Sequence, residues 1–114
     1  MKGLGSDIIE VERIEESIEK HGERFLDRLF TPQEQEYCLK YRDSARHFAG
    51  RFAAKEAIVK ALGTGFGEEI GWLDIEILND PKGKPIAKLK DFTGTLELTI
   101  SHCKAYALAV AIWT

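Results

Sequence analysis

The sequence predicts an α+β fold, and three observations carry that expectation. After a short strand-like start, apolar residues recur at helical spacing as far as Leu62. Beyond Gly71 the period changes to two. The final apolar run then puts Ala105, Ala107, Ala109 and Ala111 on one face, which wants something pressed tightly against it, such as an alanine-rich helix. The expected order is an N-terminal strand, about three helices, then an antiparallel run of four strands packed on a long central helix.

Met1 to Ile9 reads as a short strand ending in the acidic Asp7, with Gly3 and Gly5 allowing another backbone to approach closely. Val11, Ile14 and Ile18 form the apolar stripe of a helix from Val11 to about Lys20, and Gly22 argues against its continuing past His21. Phe25, Leu26, Leu29 and Phe30 supply a further helical turn or two. Thr31 as N-cap, Pro32 at the first helical position and Glu34 in a capping box open a helix that should reach about Tyr41. The central helix begins near Ser44, turns Phe48, Ala49, Phe52, Ala53, Ala57 and Leu62 inward, and stops at Gly63 in a left-handed cap. Leu73, Ile75 and Ile77 alternate with Asp74 and Glu76 in a strand with one wet face. Asn79 to Pro85 is a turn, and Ile86 to Leu89 returns as its partner. Leu96, Leu98 and Ile100 alternate with Glu97, Thr99 and Ser101, and the strand from Ala105 to Trp113 closes the sheet.

At 114 residues the chain is expected to be a single domain, 1–114. Apolar residues at 44% and charged ones at 31% fit a soluble globular protein and argue against disorder. No run approaches the roughly 18 apolar residues of a membrane span. The start lacks a basic and apolar export signal, so a cytoplasmic location is the default. Cys38 and Cys103 have no metal-ligand spacing and read as reduced thiols rather than a disulfide. A net charge of −3, from 16 basic and 19 acidic side chains, excludes a generally basic nucleic-acid surface.

Candidate chemistry concentrates on the central helix. Phe52, Glu56 and Lys60 share one face, with His47, Arg51 and Lys55 on the stripe beside it. One carboxylate from a strand end, Asp7, and one from a helix face, Glu56, make a half-shell for a hard cation such as magnesium. Blander readings stand beside this one. Glu56 and Lys60 can form a surface pair worth roughly 0.2–0.5 kcal/mol, Asp7 can cap the following helix, and a plain C-cap explains Gly63 by itself.

Three segments taken together carry a family resemblance. Gly5-Ser6-Asp7-Ile8 followed by Arg13, the run from Arg51 to Gly65, and Thr99-Ile100-Ser101-His102 resemble the holo-acyl-carrier-protein synthases, which are 4′-phosphopantetheinyl transferases. The resemblance spans essentially the whole chain, and its length agrees with the family's small trimeric branch. It implies an enzyme that moves the phosphopantetheine arm of coenzyme A onto a serine of apo acyl carrier protein, with magnesium, releasing 3′,5′-ADP. On that resemblance Asp7 and Glu56 hold the metal, and Lys60 lies over the pyrophosphate as a third catalytic group. Arg51, Gly63, Thr64, Gly65, Lys84, Pro85, Ser101 and His102 line the coenzyme. Arg13, Lys20, Arg24, Phe25 and Arg28 grip the carrier, a patch that splits should the helix break at Gly22. A homotrimer would complete each site from a neighbouring subunit and cover the apolar sheet. Two rival readings remain open at this level: another small magnesium-dependent nucleotide phosphoryl enzyme, and a non-catalytic α+β interaction module.

Overall fold

A computed structural model describes residues 1–114. The elements run β1 (Gly3–Glu10), α1 (Val11–His21), α2 (Glu23–Leu29), α3 (Pro32–Leu39) and α4 (Ser44–Leu62). A single 3₁₀ turn at Trp72–Asp74 follows, then β2 (Ile75–Asn79), β3 (Pro85–Leu89), β4 (Leu96–His102) and β5 (Tyr106–Trp113). The α+β class stands, with four α-helices in place of about three. Gly22 is the extra boundary: its φ of 55° lies in the left-handed region, and its N–H donates to the carbonyl of Ile18 at 2.7 Å, ending α1. Thr31 forms the expected capping box with Glu34, and α3 stops at Leu39, short of Tyr41.

The strands do not form one four-stranded run. β1, β5 and β4 make an antiparallel sheet in that order, while β2 and β3 form a separate hairpin. The N-terminal strand thus pairs with the C-terminal one, Asp7 opposite Ala109 and Gly5 opposite Ala111. Pairing between the two ends of a chain leaves no local pattern in the sequence, which is why alternation alone missed it. Leu73 falls in the 3₁₀ turn rather than in β2 and is exposed.

The long helix α4 lies across the inner face of the three-stranded sheet. Ala107, Ala109 and Ala111 are buried there against Ala53, Ala57 and their neighbours. Small residues on both surfaces bring the backbones unusually close. A Cβ built on Gly5 would lie 2.0 Å from the carbonyl oxygen of Ala57, and one on Gly3 1.8 Å from that of Ala61. Phe30 and Phe48, ring centroids 4.9 Å apart, fill the space where the helices meet. The opposite sheet face carries Leu4, Ile8, Tyr106 and Leu108, all exposed within the single chain. Neither cysteine is bonded: Cys38 is buried, its thiol pushed up to about 12 chiefly by desolvation, and Cys103 is exposed just beyond β4.

Candidate active site

The close contact between β1 and α4 builds the first part of the site. Asp7 sits in the middle of β1, three residues before its end, so it caps no helix; α1 starts at Val11 after an uncapped Glu10. Alternation along β1 turns Gly5, Asp7 and Ile9 towards α4, the less exposed side of the strand. Lys60, on the last turn of α4, sets its ammonium 3.0 Å from the Asp7 carboxylate and 3.0 Å from the carbonyl of Ser6. The surface partner of Lys60 is therefore Asp7 rather than Glu56. Glu56 stands one turn earlier on α4 and feels the same carboxylate. Burial, then the negative charge of Asp7, raises its carboxyl above the ordinary value, and Lys60 pulls the other way. Two carboxylates forced into like-charge proximity are a hard-oxygen donor set, and a divalent cation relieves their repulsion. No third histidine, cysteine or acid joins them.

A second cavity, of about 140 Å³, opens beside the middle of α4. Gly50 lets β4 come near, the methyl of Ile100 lying 3.1 Å from where its Cβ would be. Arg51, His102 and Pro85 line it, joined by Tyr37, His47 and Asn79. Arg51 is only 4% exposed; its guanidinium lies 4.2 Å from the centre of the Tyr37 ring, and one terminal nitrogen donates to Asn79 Oδ1. Its Nε has no partner. The guanidinium gives the cavity a positive wall. His47 and His102 lie edge to face at 5.4 Å, and desolvation, followed by the nearby His102 and Arg51, pushes the His47 imidazole below its usual value.

A third depression, of about 520 Å³, runs along α2. Arg24, Phe25 and Arg28 line it together with His21, Leu29 and Trp72. The break at Gly22 divides the expected basic patch: Arg13 and Lys20 stay on α1, outside this groove.

Other expected site residues are placed apart. Ser101 alternates with His102 on β4 and faces the outer side of the sheet. The ammonium of Lys84 lies 3.4 Å from Glu97, both side chains exposed. The amides of Gly63, Thr64 and Gly65 turn back to carbonyls of the helix end, Lys60 for the first and Val59 for the other two. Tyr37 and Trp72 were not legible as site residues: each joins through tertiary packing from a different element. His47 carried a signal, one turn before Arg51 on the same stripe, and Asn79 opens the turn to Pro85 that the family resemblance sets beside the nucleotide.

The chain belongs to the 4′-phosphopantetheinyl transferase superfamily, whose family model matches residues 3–111. The holo-[acyl-carrier-protein] synthase of Protochlamydia amoebophila is 54% identical over 118 residues, covering 98% of this chain and 97% of that protein. The synthase of Chlamydia pneumoniae is 48% identical, covering 96% and 93%. Among solved structures, the Bacillus anthracis holo-(acyl-carrier-protein) synthase in complex with CoA (3′,5′-ADP) superposes with a TM-score of 0.89 at 41% identity, covering 98% of this chain and 95% of that one. The Helicobacter pylori synthase in complex with coenzyme A gives 0.90 at 36% identity, covering 97% and 99%. Within the superfamily its place is with the holo-acyl-carrier-protein synthases, and it is a transferase. The non-catalytic module and the nucleotide phosphoryl enzyme give way to that assignment. No helix is long and apolar enough to cross a membrane.

Proposed function

We propose that residues 1–114 act as one domain that transfers the 4′-phosphopantetheine arm of coenzyme A to a serine of an apo acyl carrier protein, with magnesium, and releases 3′,5′-ADP. The observation that carries this reading is the corner where Asp7 of β1 meets the Lys60 ammonium of α4 at 3.0 Å, with Glu56 one turn earlier on the same helix. Asp7 and Glu56 are the residues to hold magnesium, which when bound neutralises charge on the pyrophosphate and on the leaving group. Lys60, half exposed and already turned to this corner, can shift its ammonium from Asp7 to the pyrophosphate. In the reaction the serine oxygen bonds the phosphorus that bears pantetheine, and the bond from that phosphorus to 3′,5′-ADP breaks. The serine proton needs an acceptor. A carboxylate or a water held at this corner can take it.

Arg51, whose guanidinium lines the smaller cavity, is suited to the 3′-phosphate of the coenzyme, and His102 borders the same cavity. The bound nucleotide moieties of the Bacillus anthracis and Helicobacter pylori structures support coenzyme A as the donor. Arg24, Phe25 and Arg28 offer a cationic groove with an aromatic anchor for an acidic carrier. The exposed apolar sheet face supports a homotrimer, in which neighbouring subunits cover Leu4, Ile8 and Leu108. A cytoplasmic site of action goes with this substrate pair. The test is mass spectrometry of apo carrier incubated with the protein, coenzyme A and magnesium. A gain of one phosphopantetheine mass that chelator removes is the expected result; unchanged mass across several carriers overturns the reading.

A further inference from the structure

The most completely enclosed charges of the chain lie outside the three sites above. Lys55 and Glu34 are both fully buried, with Nζ 2.7 Å from Oε1. Lys55 has three N–H bonds and all three are satisfied: to Glu34, to the carbonyl of Leu29 at 2.7 Å, and to the carbonyl of Trp72 at 3.0 Å. Glu34 in turn accepts from the backbone N–H groups of Thr31 and Ile77, each at 2.8 Å. One ammonium thereby joins the end of α2, the start of α3 and the 3₁₀ turn before β2 to the central helix.

Stability alone does not account for such a pair. Replacing a buried ion pair by apolar groups of similar volume is often neutral or stabilising. What an apolar side chain cannot do is hold two carbonyls from separate segments at fixed positions. Leu29 and Trp72 both line the groove along α2, and no backbone hydrogen bond joins α2 to the Trp72 turn. Lys55 is the hydrogen-bonded tie between them. It immediately precedes Glu56, so the tie and the reactive corner share one turn of α4. Trp72 also stacks on Phe52, one turn before Glu56, with ring centroids 4.9 Å apart.

We infer that Lys55, seated on Glu34, is a positioning residue that sets the width of the carrier groove and its distance from the Asp7–Glu56 corner. The inference rests on the reading of that groove as the carrier-docking surface. It makes carrier recognition depend on a residue the carrier never touches. Loss of the ammonium leaves the carbonyls of Leu29 and Trp72 without their donor, whereas Arg51 on the smaller cavity makes no hydrogen bond to Lys55 or Glu34.

The experiment compares Lys55→Met, the double variant Lys55→Met with Glu34→Gln, and Arg28→Glu as a direct groove control. The double variant avoids stranding a buried carboxylate, should the single one not fold. KM for apo carrier, KM for coenzyme A and the melting temperature are measured for each. The expected result is a carrier KM raised about tenfold, the equivalent of one well-placed hydrogen bond, with KM for coenzyme A unchanged and the double variant still folded at the assay temperature. A folded double variant with wild-type carrier KM, beside an Arg28→Glu protein with raised carrier KM, overturns the positioning role. An Arg28→Glu protein with unchanged carrier KM overturns the docking reading itself, and the proposal with it. Failure of both Lys55 variants to fold, or parallel losses for carrier and coenzyme, assigns the pair a purely structural role and likewise overturns the proposal.

Discussion

Gly5→Ala tests the contact on which the site is built. An added Cβ would stand 2.0 Å from the Ala57 carbonyl oxygen, 2.6 Å from the Ala61 nitrogen and 2.9 Å from the Lys60 Cβ, whereas ordinary contact begins near 3.4 Å. Two of the three obstacles are backbone, so no rotamer change relieves them. Strand and helix must part by more than about an ångström at the position beside Asp7. Overpacking of this kind costs about 1–3 kcal/mol, and the rigidity of both partners argues for the upper end. For a domain of this size about 3 kcal/mol lowers the melting temperature by roughly 10–15 °C. The same separation moves Asp7 away from Glu56 and Lys60, and a misplacement of about 1 Å can reduce turnover some hundredfold. Thermal denaturation and carrier modification, the latter assayed well below the mutant's melting point, measure the two effects. Gly63→Ala is the control: its φ of 76° strains alanine, but nothing lies within 4 Å of the added Cβ, so it should lose about 1 kcal/mol and keep its turnover. Wild-type stability and activity in Gly5→Ala would refute the idea that glycine-mediated contact sets the site.

Glu56→Gln removes a carboxylate whose folded-state proton affinity is raised by burial and by Asp7. A carboxyl of that kind favours the folded state below its unfolded value of about 4.3 and loses that contribution as pH rises through the higher folded value. The variant should therefore lose transfer activity yet melt higher than wild type at pH 7, the gain shrinking towards pH 4; a pH-independent difference would count against the paired carboxylates. Arg51→Ala should weaken coenzyme A binding far more than dephospho-coenzyme A binding, measured by calorimetry, and equal losses would show that Arg51 does not read the 3′-phosphate. Ile8→Glu, on the exposed sheet face, should leave the chain folded but convert a trimeric mass to a monomeric one in light scattering. An unchanged mass would place the subunit contact elsewhere.

Features fixed by neighbours along the chain were legible in the sequence. The Thr31–Glu34 capping box, the left-handed stop at Gly63 and the alternation in β5 each depend on residues a few positions apart, where backbone geometry is set by local sterics and hydrogen bonds. The approach of another backbone to Gly3 and Gly5 was legible too, because only glycine leaves that space. Asp7 and Glu56 were matched in the sequence as one strand-end and one helix-face carboxylate, and the family resemblance added their roles. Other features were decided only in three dimensions. Alternation revealed strands but not that β1 would join β5 and leave β2 and β3 as a separate hairpin, since pairing between chain ends depends on which faces α4 covers. Lys55 read as one more charge on a helical stripe; its burial follows from α2, α3 and the Trp72 turn closing over it. Tyr37 and Asn79 join Arg51 from separate elements for the same reason. Local sequence sets each residue's direction from its own backbone, and the packing of distant segments decides what it meets there.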